Sequence, residues 1–101
     1  MAIIHWDPSR GPATEAALRA HLEALGYRCS TYVYPPGTVF PDHTHAVDKI
    51  DAVVEGRFRI SMDGQDYVLG PGDCIAVPRG RVHSAAVVGD QPVISIDAIR
   101  V

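Results

Sequence analysis

The sequence predicts an all-β barrel or sandwich preceded by one short helix, on three observations. Six or seven β-prone runs of four to eight residues follow residue 27, turn residues separate them, and a single stretch with helical periodicity comes first. Closing such strands into a barrel or double sheet removes exposed strand edges.

The helix is expected over residues 15–25. Thr14 is its N-cap and Gly26 its stop, because glycine tolerates the positive φ that ends many helices. Leu18, Leu22 and Leu25 recur on one face with Ala17 and Ala24 beside it, so the helix should lie on a larger body and serve packing alone. His21 within it reads as a surface histidine. Strands are expected over 28–34, 49–54, 57–62, 66–69, 74–77, 82–88 and 92–99. Asp63-Gly64 marks a tight hairpin, and Pro35-Pro36-Gly37, Gly70-Pro71-Gly72-Asp73, Pro78-Arg79-Gly80 and Gly89-Asp90 break the other runs. Residues 1–27 then form an extension carrying the helix and 28–101 the barrel, together one domain.

Composition narrows the function classes. The chain has 101 residues, 47% of them hydrophobic, with nine basic against twelve acidic side chains and a formal charge of -3. No basic block suits a phosphate backbone, so nucleic acid is excluded as an expected partner and a small molecule favoured. No apolar run reaches the length of a membrane span, and no basic start leads into an apolar stretch, so no membrane contact and a cytoplasmic location are expected. Cys29 and Cys74 stand alone and are expected as free thiols, Cys74 as a small buried hydrophobe.

The chemistry concentrates at His43-Thr44-His45. In extended backbone the two imidazoles leave the same face, roughly 6.6 to 7 Å apart along the strand, and can converge on one ion. His83, at the start of another expected strand, supplies a third. A His-x-His pair alone is more often structural than ligating. Here it sits in a longer pattern: Gly37, five residues, His43-Thr44-His45, then Gly56 eleven residues after His45; and Gly72, five residues, Pro78-Arg79-Gly80, two residues, His83. These two stretches resemble the two motifs of the cupin superfamily, in the right order and with a hairpin between them.

The resemblance implies a cupin-type jelly-roll β-barrel of the small single-domain (RmlC-like) kind, with His43, His45 and His83 as ligands of a divalent ion such as iron, manganese, nickel or zinc. It also implies a homodimer, for which the first strand and Val93-Ile94-Ser95-Ile96 are the interface candidates. The chain departs from the pattern in two places. The glutamate ligand expected three or four residues after the second histidine falls on Lys49 or Ile50, and the asparagine that often closes the second motif falls on Val87.

A Lys49 ammonium about 5 Å from a dication would repel it by on the order of 6 to 7 kcal/mol at an effective dielectric near 20. Loss of the proton on burial, snorkelling outward, or pairing with Asp51, two residues on and so on the same face, would relieve this, and the last two are favoured. Asp48-Lys49-Ile50-Asp51 thus reads either as a solvated, charge-paired rim or as an acid-base site, with Lys49 and Asp51 the catalytic candidates. Arg57 and Arg59 fit a half-exposed strand, and Tyr32 and Tyr34 are assigned to packing. Two functions stay open. One is a three-histidine metal enzyme of the dioxygenase or isomerase type; the other is a barrel that binds or senses a small ligand without metal.

Overall fold

The computed structural model describes residues 2–100. After a single turn of 3-10 helix at Pro8–Arg10 comes the helix α1 (Glu15–Ala24). Eight strands follow: β1 (Tyr27–Tyr34), β2 (Val39–His43), β3 (Lys49–Glu55), β4 (Phe58–Met62), β5 (Gln65–Leu69), β6 (Cys74–Val77), β7 (His83–Val87) and β8 (Val93–Arg100). They form two antiparallel sheets, ordered β1-β8-β3-β6 and β2-β7-β4-β5, which face one another as a jelly roll. The fold class expected from the sequence is the one found. Among the described residues no helix is long and apolar enough to cross a membrane.

Each sheet shows the period-two alternation of a strand with unlike faces. Between the sheets lie Val53, Phe58, Ile60, Met62, Leu69, Ile75, Val77, Ala85 and Val93, all buried. The opposite face of the first sheet carries Ile50, Ala52, Cys74, Ile96 and Ala98, and α1 covers it with Leu18 and Leu22. Thr14 Oγ1 caps α1 by accepting from the Ala17 N–H at 3.1 Å. Arg19 ties the helix to β1 by donating to the Cys29 carbonyl at 2.8 Å and to Thr31 Oγ1 at 2.6 Å. The helix ends one residue early, so Leu25 becomes its cap and is half exposed rather than packed. His21 is not a free surface residue: it stands edge-on to Trp6 and within 2.9 Å of Arg10. Cys29 and Cys74 are both free, and Cys74 is buried as expected.

Two findings correct the strand reading. The strand β2 was not among the expected strands; it follows the Pro35-Pro36-Gly37 break and itself contains Pro41. Proline is tolerated there because β2 is an edge strand, and the register slips between Phe40 and His43. The run from Val93 to Ile96 is no free edge either. It belongs to β8, which is hydrogen-bonded to β1 on one side and β3 on the other, with Val93 and Ile96 fully buried.

Two turns show why the sequence folds this way. Asp63 and Gly64 both take positive φ, 56° and 75°, as a tight primed hairpin between β4 and β5 requires. Gly56 has φ 84°, and a Cβ there would meet the Pro92 carbonyl oxygen at 2.4 Å, so no other residue fits where β3 turns into β4 beneath β8.

Candidate metal centre

A cavity of about 420 Å³ opens between the sheets, and the residues singled out from the sequence converge on it. The strand β2 ends at His43, so His45 stands in the loop leading to β3 rather than on a continuous strand. Its main chain is pinned across the barrel mouth, where the Gly80 N–H donates to the His45 carbonyl at 2.9 Å. His83 opens β7 directly opposite His43 in the ladder. The ring centroids of His43, His45 and His83 are 4.2 to 5.1 Å apart, and one ligating nitrogen from each lies within 4.8 Å of the others.

The donor set suits a cation. The Nδ1–H groups of His43 and His83 donate to the carbonyls of Pro41 and Arg81 at 2.7 and 2.9 Å, which leaves each Nε2 as a lone pair facing the cluster. His45 Nε2 is buried with no hydrogen-bond partner. An unpartnered buried nitrogen is costly, and an ion between the three rings would satisfy it. Burial, with the positive charge of Lys49 next, depresses the pKa of His45; burial outweighs the Arg81 carbonyl in depressing that of His83. Both imidazoles are therefore neutral at neutral pH, the form that ligation requires.

The other sheet answers with charge. Lys49 and Asp51 on β3 are buried, and Asp97 on β8 stands directly across from Asp51. Lys49 Nζ lies 3.2 Å from Asp51 Oδ1 and 2.5 Å from Asp97 Oδ1. Asp97 Oδ1 is buried against that ammonium. Burial pulls the Lys49 pKa down, but the two carboxylates outweigh it and hold the ammonium above its ordinary value. Burial raises the Asp51 carboxyl to about 6.

The 48–51 stretch is thus no solvated rim. Asp48 alone is exposed, and its carboxylate accepts from the Arg79 N–H at 2.8 Å, fastening the β2–β3 loop to the turn before β7. Tyr32 and Tyr34 do more than pack: both line the cavity, and Tyr34 stacks against Phe58 with Phe40 edge-on to both. Asp97 was missed from sequence. Its signal was a lone acid on the alternating face of an apolar strand.

Residues 30–99 match the family described as Cupin domain. The chain belongs to the cupin family. This cupin is 31% identical over 101 residues to a germin-like protein of Oryza sativa subsp. japonica, covering 91% of this chain and 47% of that protein. It is 31% identical over 65 residues to a gentisate 1,2-dioxygenase of Ralstonia sp, covering 63% of this chain and 18% of the other. Its fold superposes on KdgF from Halomonas sp. with a TM-score of 0.62 and 28% identity, covering 75% of this chain and 72% of that one. The cupin chain therefore spans less than half the length of the curated relatives it matches.

Proposed function

We propose that this cupin is a mononuclear metal protein in which His43, His45 and His83 hold a divalent ion, iron, manganese, nickel or zinc, beside a cavity for a small organic substrate. The observation that carries this is the buried, unpartnered His45 Nε2 between two imidazoles whose tautomers are fixed by backbone carbonyls. Such an ion supplies Lewis-acid or redox chemistry to a ligand in its open positions. The similarity to a gentisate 1,2-dioxygenase supports a dioxygenase-type reaction.

The residues of the chain supply the rest. Tyr34, Phe40 and Phe58 give an apolar wall that excludes water and orients a flat substrate. Of the two acid-base candidates, Asp51 has the pKa for proton exchange near neutrality, about 6. Lys49 stays an ammonium and holds both carboxylates in position. A homodimer belongs to the same proposal, assembled on the Tyr32–Val33 end of β1, where both side chains are exposed and no second strand pairs among the described residues.

Elemental analysis by mass spectrometry on protein purified without chelator tests the ligand set. Near-stoichiometric metal in the wild type and none in His45→Ala is the expected result. A second reading, a ligand-binding barrel without metal, is favoured by the ammonium of Lys49 in the same cavity as the histidines. Absence of metal from both proteins after anaerobic reconstitution would select it.

A further inference from the structure

A second cavity lies outside the barrel. It is a crevice of about 200 Å³ between the N-terminal segment and α1, and it shares no residue with the cavity of the histidines. Its floor is apolar, made by Leu18 and Leu22 of α1, by Cys74 of β6, and by Ile4, whose main chain pairs with Cys74. Its rim is polar. The acids near the rim already have partners: Asp7 accepts from the Ser9 N–H at 2.9 Å, and Asp73 holds the His5 ring at 2.6 Å and the Gly70 N–H at 2.9 Å. The donors do not. The Arg10 guanidinium lies over the Trp6 ring at 4.7 Å and gives one N–H to His21 Nδ1 at 2.9 Å. Among the described residues it pairs with no carboxylate. A guanidinium cannot accept, so the ring proton of His21 is on Nε2, a second donor on the same rim.

We propose that this crevice is a second binding site, for a short aliphatic carboxylate whose oxygens take the free N–H groups of Arg10 and whose chain lies on Leu18, Leu22 and Cys74. A surplus of donors over free acceptors calls for an acceptor, and a guanidinium without a carboxylate fits one through two parallel hydrogen bonds. The apolar floor takes the other end of the molecule. The volume sets its length: 200 Å³ is the liquid volume of about seven waters, which a chain of about four carbons with its carboxylate fills. The site lies on the outer face of the sheet whose inner face presents Lys49 and Asp51 to the barrel cavity. Its occupant touches Cys74, the ladder partner of Ala52 on β3, without entering the barrel, so the site stands whether or not the histidines hold a metal.

Trp6 is the only tryptophan of the chain and lines the crevice, so its fluorescence reports on this site rather than on the barrel. Acetate, butyrate, octanoate and butylamine are the probes, titrated at constant ionic strength into wild type and Arg10→Gln. The methyl signals of Leu18 and Leu22 in the crevice, and of Ala85 in the barrel cavity, are followed by NMR during the butyrate titration. Butyrate should bind wild type at least about tenfold tighter than butylamine, as hydrogen bonds between charged groups require. It should bind about fifteenfold tighter than acetate, about fourfold for each of two buried methylenes. Octanoate should add no comparable gain, because the crevice is already full. In Arg10→Gln butyrate should weaken about tenfold and lose its advantage over butylamine; Arg10 is exposed, so the fold does not depend on it. The Leu18 and Leu22 methyls should shift while Ala85 stays. A Trp6 signal that answers to no carboxylate, equal binding of butylamine, or undiminished affinity in Arg10→Gln overturns the proposal. A shift of Ala85 without Leu18 and Leu22 also overturns it, by placing the carboxylate in the barrel.

Discussion

At the scale of single residues, the unusual feature is an ammonium where a carboxylate ligand was expected, and its effect is set by what surrounds it. Lys49 carries two carboxylates with it, so the group delivered to the cavity has a net negative charge, as a single glutamate would. The same neighbours give a prediction in alkaline solution. Both carboxylates raise the Lys49 pKa above its ordinary value, and burial with Asp97 and Asp51 raises Tyr34 to about 12. Each group then keeps its proton longer in the folded chain than in the unfolded one, so stability is fully present below pH 10 and is lost as pH rises from 10 towards 12. Urea melts across that range should show a falling midpoint, and Tyr34→Phe should flatten part of the slope. An unchanged slope in the variant would remove Tyr34 from the account.

At the scale of elements, the helix is a cover rather than part of the site. Leu22 is fully buried against the outer face of the β1-β8-β3-β6 sheet, and Leu22→Ala should cost roughly 2 to 5 kcal/mol in chemical denaturation while metal content per folded molecule stays the same. A loss of metal from the folded variant would show that α1 props the site through β3. The elements also show where the sequence is legible. The hairpin at Asp63-Gly64, the cap at Thr14 and the histidines at 43, 45 and 83 were readable because each depends on residues near in sequence or on a fixed spacing. The strand β2 was not, since a proline is a strand breaker or an edge residue according to a neighbour that only the fold supplies. Asp97 was hidden for a similar reason. Only the β3–β8 register puts it across from Asp51, and a register is a property of two segments at once.

At the scale of the whole molecule, the unevenly covered sheet edges bear on the proposed dimer. The far edge of the first sheet, β6, is met by the N-terminal segment through the paired Ile4 and Cys74, while β1 is met near its start by the Arg19 side chain, which takes the Cys29 carbonyl and Thr31 Oγ1. Val33, with 64% of its surface exposed, marks the open end. Val33→Lys should shift the sedimentation coefficient from that of a dimer to that of a monomer, because a charge on an edge opposes strand addition. A monomeric wild type would exclude the proposed edge as an interface. One consequence of the layout reaches beyond binding. The histidines come from the β2–β7 layer and the loop leaving it, the charges from β3 and β8 of the facing layer, so a molecule gripped at both ends acts as a rivet through the sandwich. Parting the layers would then require the rivet to let go first, and slowed amide exchange should spread into both sheets together instead of staying with the residues that touch it.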